Sequence, residues 1–529
     1  MSQTVQAIAT VDSIKKQATV LLGGGNNAIN LQLNNLSSSV FGTTVDVTVA
    51  RDNWSGYEGS ELQPKVFMTQ RYTLSSGTPT ISIPNTDPMA GYQVIITPAA
   101  TTTPVVDTTW STSVQAENTT LANVTAYSQD TDANPQLYAT SGKVDVGNLT
   151  SASSSLTWNV TVPTTGTYRL GIYDGANGAP GQHALFLDGT FNQTVQYTAD
   201  LGWTYRNRTD VFVSLTAGAH ALSLRTSRDG ATLLPTSNIT VDKFDLTQVS
   251  GTESATYPAR YARATGSPTF VFGLGPNGAL VTVGPSTTAT FFIAATDTGY
   301  YDVSMDYRTP SGATALTFSL NGRTISGMSS TAAGSWTSTA RLHLAAGISE
   351  IQVSSPGVAQ LDTLRTVRAT TGDSSTHTIE AESGTVSGTA QVTTLAASSG
   401  SNDSGGAEVT FVGNGSANTL TLARPSGTPA GLYDLDVHYA NDDANTASHY
   451  NTDVITRFMN ISESGGNTVQ GAFRNDYSWT SFWWKTVPLS LVTSSGSLAL
   501  GNSTAYAPDL DEFRLSPLEL SSSTVSSAG

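Results

Sequence analysis

Cysteine is absent from all 529 residues, which rules out disulfides and thiolate metal sites and leaves oxygen and imidazole as the only strong metal ligands. Charge is sparse and one-sided: charged residues make up 12% of the chain, with 24 Lys plus Arg against 40 Asp plus Glu and a formal net charge of −16. Such a field repels phosphate backbones, so nucleic acid is a poor partner, and neutral or cationic ligands fit better. No apolar run approaches the roughly 20 residues of a membrane span, so no membrane partner is expected. No helical period is sustained over three turns, which excludes the alternating strands and helices of a catalytic (β/α)8 barrel within this chain. The six histidines, His183, His220, His343, His377, His438 and His449, are scattered without metal-ligand spacing. No nucleophile elbow, phosphate loop or redox motif stands out. Glycosidic-bond hydrolysis usually needs two carboxylates facing each other; Glu58 and Glu61, beside Trp54 and Tyr57, form the one segment that could contribute to such a cleft.

What is present is Gly, Ser and Thr in abundance, with short period-two runs between Gly, Asn, Asp and Pro clusters. Ala18-Thr19-Val20-Leu21-Leu22, Thr44 to Val49, Thr80 to Ile83 and Tyr92 to Ile96 alternate in this way, as do Leu156 to Val162, Ala289 to Ile293 and Gly431 to Tyr439. Alternation over four to eight residues is the mark of half-buried antiparallel strands. The fold class that follows is all-β, a tandem of β-sandwich (jelly-roll) domains. An extended start and an apolar–Asp close recur: Val114-Gln115-Ala116-Glu117 with Val241-Asp242, Ala255-Thr256-Tyr257-Pro258 with Leu361-Asp362, and Ile379-Glu380-Ala381-Glu382 with Leu510-Asp511. A spacing of about 120 to 140 residues suits whole domains rather than solenoid repeats. The expected units are 1–100, 109–249, 250–370 and 377–517, followed by a mobile polar tail at 521–529. Asn321-Gly322 predicts a hairpin turn.

In the fourth unit Ile379-Glu380-Ala381-Glu382, Ser404-Gly405-Gly406, Gly431-Leu432-Tyr433, Val437-His438-Tyr439-Ala440-Asn441, Tyr477-Ser478-Trp479 and Pro508-Asp509-Leu510-Asp511 follow one another in an order that resembles carbohydrate-binding modules of the family 6 and 35 group. The second unit resembles them less fully, through Gln115-Ala116-Glu117, Gly166-Thr167-Tyr168 and Asp242. The third keeps only the middle and the end. The resemblance implies a structural Ca²⁺ held by Glu380, Glu382 and Asp511, and less surely by Glu117 and Asp242. Hard oxygen donors from the first and last strands would clamp the two together. In the third unit Pro258 and Arg260 stand where carboxylates belong, and no such ion is expected.

Sugar recognition needs aromatic faces against pyranose C–H groups and planar polar groups for the hydroxyls. The candidates are Trp479, Asn441, Asp442, Tyr450, Asn502 and Tyr506 in the fourth unit and Trp203, Tyr205 and Asn177 in the second. Of the neighbours Trp483 and Trp484, one must face inward on a strand; Trp336 of the third unit suits core or platform equally. The first unit resembles the β-sandwich that follows the catalytic barrel in glycoside hydrolases around family 39.

Together these point to a monomeric, secreted, non-catalytic region that binds polysaccharide or oligosaccharide within a glycoside-hydrolase-like protein. Met1 to Val5 carries no signal-peptide pattern, so a leader and a barrel are expected upstream of this chain. Asn-x-Ser/Thr acceptors from Asn35 to Asn502 fit an extracellular glycoprotein. The alternatives are a structural or adhesive spacer built of sandwiches, and a glycoside hydrolase whose catalytic residues carry no familiar signature.

Overall fold

The computed structural model describes residues 5–527 apart from 25–26, 55–60, 75–76, 85–90, 100–109, 129–143, 178, 198–202, 204–206, 249–253, 296, 326–327, 370–372, 396–400, 446–452 and 477, with backbone alone at 52–54, 61–67, 207, 328, 373, 444–445, 453–454, 521–525 and 527. Glu58, Tyr205, Tyr450 and the side chain of Glu61 therefore lie outside the described residues.

The regular structure of the described residues is almost entirely antiparallel strand, and the strands assemble into paired sheets around four large apolar cores. The first unit has a five-stranded sheet, Gln6–Asp12, Gln17–Gly23, Gly91–Pro98, Thr44–Trp54 and Glu61–Thr73 in spatial order, faced by the pair Ile29–Gln32 and Thr80–Ile83. Val45, Val47 and Val49 alternate into its core with no exposure at all, as a half-buried strand requires.

The remaining three units repeat one plan. A first strand pairs antiparallel with the last: Ser111–Gln115 with Thr240–Gln248, Ser254–Pro258 with Ala359–Arg368, and His377–Glu380 with Asp509–Pro517. A single 3₁₀ turn follows the first strand each time, and its leading residue, Ala116, Ala259 or Ala381, is fully buried. The central strands Gly166–Gly175, Gly299–Thr309 and Gly431–Ala440 each pair with the last strand through a register shift near their C-terminal ends. Such a bulge twists the strand and re-aims the side chains beside it. Near the start of each central strand a tyrosine hydroxyl donates to a carbonyl four residues upstream: Tyr168 to Thr164 at 2.6 Å, Tyr301 to Asp297 at 2.9 Å and Tyr433 to Pro429 at 3.0 Å. The ring fills the core while the hydroxyl satisfies the turn, so one residue type fixes both. Asn321 and Gly322, both at positive φ, make the tight hairpin between Ala315–Leu320 and Arg323–Thr324 that their sequence predicts.

The C-terminus departs from expectation. Instead of a mobile polar tail at 521–529, residues Glu519–Ser527 form a strand that pairs antiparallel with Gly334–Leu344 of the third unit. Backbone pairing holds it there. No helix of the described residues is long and apolar enough to cross a membrane.

Candidate functional site

The strand plan carries the two acidic ends of the fourth unit to one place. Because His377–Glu380 lies beside Asp509–Pro517, Glu380, Glu382 and Asp511 meet around Ser404. The Ser404 hydroxyl donates to Glu380 Oε2 at 2.6 Å, and its amide N–H reaches both Asp511 oxygens at 3.1 and 3.0 Å. His438 Nδ1 lies 2.6 Å from Asp511 Oδ2 and donates to it, since a carboxylate can only accept. Asp403 and Glu408 join the cluster. Glu382 Oε2, Asp403 Oδ2 and Glu408 Oε2 are all buried with no hydrogen-bond partner. Burial, followed by Glu380, Asp511 and Asp403, raises the Glu382 carboxyl. Burial with Asp509, Asp403 and Asp511 pushes Glu408 up to about 8. Buried carboxylates normally find a donor or a cation. Here the acids face one another.

Gly405, at φ +68, is tied to this arrangement: a Cβ there would lie 2.6 Å from Glu382 Oε1. Among the described residues no group of three or more His, Asp or Glu side chains is placed to hold a metal ion. The donor set is hard oxygen, as Ca²⁺ prefers, and its unpartnered atoms are what an ion would use.

The second unit keeps a smaller version. Asp242 and Asp145 are buried, Glu117 Oε2 is buried without a hydrogen-bond partner, and burial, then Asp145, raises its carboxyl. In the third unit the corresponding turn holds Arg260, which donates to Thr97 of the first unit at 3.0 Å and to Tyr261 at 2.7 Å.

At the loop end of the fourth unit, Arg457 organises an aromatic ledge. Its guanidinium lies 4.7 Å from the Trp479 ring centroid and 5.8 Å from that of Tyr506, held by bonds to Asp443 (3.1 Å) and the Ala507 carbonyl (2.9 Å). Phe411 meets Tyr506 edge-on with centroids 6.0 Å apart. It is 48% exposed and sits at φ +57, a backbone conformation that bulky side chains rarely adopt and that clusters at ligand-contacting positions. Neither Phe411 nor Arg457 is among the sequence candidates. Burial pushes Asp509, beside Arg457, up to about 7.

The other candidates separate. Asn441 is fully buried, and its amide donates to the carbonyls of Ile455 and Phe473 at 2.9 and 3.0 Å. It holds the loop from inside and does not face a ligand. Asp442 is exposed next to it. Asn502 donates to the Phe458 carbonyl and accepts from Thr504, so it shapes the turn below Tyr506. Of the tryptophan pair, Trp483 packs on the core. Trp484 points out, with the His438 ring stacked on it at 4.3 Å and the Arg514 guanidinium 4.1 Å from its ring centroid. Trp336 packs against the third core and donates its indole N–H to Thr309, which makes it a core residue rather than a platform. In the second unit Trp203 and Asn177 are both exposed.

Residues 105–231 match the sequence model of carbohydrate-binding module family 35, which covers most of the second unit, where the motifs are less complete than in the fourth. A family 35 carbohydrate-binding module from Clostridium thermocellum is 26% identical, covering 26% of this chain and 98% of that one at a TM-score of 0.23. One from Paenibacillus barcinonensis is 20% identical with the same coverages at a TM-score of 0.22. Over its whole length the chain is similar to two bifidobacterial enzymes. A 3-O-alpha-D-galactosyl-alpha-L-arabinofuranosidase of Bifidobacterium longum subsp. longum is 29% identical across 97% of this chain and 50% of the enzyme. A 3-O-beta-L-arabinopyranosyl-alpha-L-arabinofuranosidase of Bifidobacterium pseudocatenulatum is 28% identical across 95% of this chain and 56% of the enzyme. The chain thus spans about half the length of the curated relatives it matches, and its residues 105–231 are similar to family 35 carbohydrate-binding modules.

Proposed function

We propose that this chain is the carbohydrate-binding part of a secreted glycoside-hydrolase-like protein, acting as a monomer and presenting sandwich modules to a glycan that carries arabinofuranosyl residues. The observation that carries the reading is the ledge of Trp479, Tyr506 and Phe411 around Arg457. The exposed Phe411 and the half-buried Trp479 and Tyr506 give a sugar ring apolar contact, while Arg457, Asp442 and Asp443 at the same loop end offer groups for its hydroxyls. The sugar class rests on the names of the two relatives, both arabinofuranosidases.

Calcium belongs to the same proposal. Glu380, Glu382 and Asp511 would hold it in the fourth unit, and Glu117 and Asp242 in the second. Bound there, the ion supplies positive charge that ties the first strand to the last; it takes no part in bond cleavage. The test measures retention of the full chain on arabinose-containing polysaccharide with and without EDTA, for the parent and Trp479→Ala. Calcium-dependent retention that the variant loses is expected. Equal retention of both proteins would remove the ledge from the ligand site, and release of free sugar by the purified chain would move the function to catalysis.

A further inference from the structure

The third unit has the sandwich plan of its neighbours but neither of their equipment sets: Arg260 occupies the turn where the others carry Glu117 and Glu382, and Trp336 lies against the core. What it does have is contacts with two other units. We infer that the third sandwich is a chassis: its turn docks the first sandwich, and its edge strand, completed by the chain's last residues, fixes the fourth.

The first contact joins the turn and the sheets, with Glu61–Thr73 of the first unit lying against Thr288–Ala295 and Gly347–Ser354 of the third. Arg260, only 6% exposed, reaches Thr97 in the strand Gly91–Pro98, and Lys16 of the first unit lies 4.5 Å from the Phe272 ring centroid.

The second contact has three parts. Arg323 donates to the Tyr433 carbonyl at 3.0 Å and to Asp434 Oδ1 at 2.7 Å. His343 Nδ1 lies 2.9 Å from Asp434 Oδ2, and Tyr300 donates to the Pro517 carbonyl at 3.1 Å. Asp434 and His343 are each 2% exposed, so this polar seam is closed to solvent. Then the chain crosses over. Leu518 follows directly on the fourth unit's last strand, yet it is 1% exposed within the core of the third. Its carbonyl accepts from His343 N–H and its N–H donates to Leu432, both at 2.9 Å. Glu519–Ser527 finally pairs with Gly334–Leu344, Thr339 opposite Thr524. That strand would otherwise be an open edge, and edges are normally covered or paired. Among the described residues, the corresponding edge strands of the second and fourth units, Asn207–Leu215 and Trp483–Leu491, end their sheets without a further strand.

This assignment is independent of which sugar, if any, the second and fourth units bind. The absence of cysteine from the chain allows a direct test: Thr339→Cys and Thr524→Cys are introduced together into the full protein, which is then oxidised at low concentration. An intrachain disulfide joining the two peptides, identified by mass spectrometry, is the expected result. A reduced protein, or disulfides only between chains, would overturn the inference. In parallel, hydrogen exchange is followed in the full chain and in a chain ending at Pro517. Loss of the strand and Leu518 is expected to raise exchange in Gly334–Leu344 and also in Gly431–Ala440, as the seam loosens. Unchanged exchange in both strands would overturn it. A truncated chain that fails to fold leaves the disulfide result to decide.

Discussion

The third and fourth sandwiches share strand order, a buried alanine turn, a bulge and a tyrosine bond, yet one carries a cluster of opposed carboxylates and an aromatic ledge and the other an arginine and a sealed seam. The difference lies in a few side chains at the strand ends. At the turn after the first strand, Glu382 in the fourth unit becomes Arg260 in the third. A carboxylate there joins other acids and calls for a cation; a guanidinium is itself a cation and reaches outward to Thr97. The fold therefore predicts neither module's role. The strand-end chemistry does.

The largest effects should come from the two tryptophans that sequence alone does not separate. Trp336→Ala should destabilise the third sandwich by about 3 to 5 kcal/mol, the usual cost of removing a packed indole, and leave glycan affinity unchanged once the protein is folded. Trp479→Ala should do the reverse: a loss of about 2 kcal/mol in binding, roughly thirtyfold in Kd, with little change in melting temperature. Titration calorimetry and thermal melts on both variants check the pair. Similar binding losses in the two would erase the distinction between the modules.

A pH dependence separates the second sandwich from both. His183 is fully buried; its Nε2 must donate to the Ser237 carbonyl at 2.8 Å, so Nδ1 accepts from the Tyr197 hydroxyl at 3.0 Å. Burial holds this imidazole down to about 4. A base whose folded pKa lies below its unfolded value near 6.5 costs stability as pH falls between the two, by about 3 kcal/mol when the fall is complete. Glu117, raised by burial and Asp145, works in the opposite direction over acidic pH. The difference between parent and His183→Gln melts therefore isolates the histidine: the variant should be less stable at pH 7.5 but lose less on acidification to pH 4. Parallel pH profiles would show that His183 does not titrate in this way.

Much of this architecture is legible in the chain. The core strands announce themselves by alternation, and the pairing of first with last strand follows from the repeated acid-ended segments. Two strands leave no such trace. Gln6–Asp12 is exposed along its whole length, with Ile8 at 66% and Val11 at 62%, so its composition carries no burial pattern. Glu519–Ser527 is recruited by the edge it completes, and a Ser-rich strand held by its backbone looks the same in sequence as a mobile tail. The candidate site is half legible. Trp479 and Tyr506 show as aromatics in polar loops. Asn441 looks equally available because its two carbonyl partners, Ile455 and Phe473, lie 14 and 32 residues away. Phe411 escapes notice because its exposure depends on a left-handed backbone that no residue in Val409 to Gly413 requires.

The smallest effect is also the sharpest, because its sign reverses. If Ca²⁺ offsets the repulsion among Glu380, Glu382, Asp403, Glu408 and Asp511, EDTA should lower the stability of the fourth sandwich by about 2.7 kcal/mol relative to calcium at a hundred times its Kd, and leave the third unmoved. Glu382→Gln removes one charge from a group that already resists ionising, since burial and three neighbouring acids raise it. In EDTA the variant should therefore be more stable than the parent by about 1 kcal/mol, the scale of one relieved interaction between like charges. With calcium present it lacks a ligand and should be less stable. Calorimetric scans of parent and variant in both conditions give the four numbers. A crossing of the order assigns the acids to an ion. A variant that is less stable in both conditions assigns Glu382 to the fold alone.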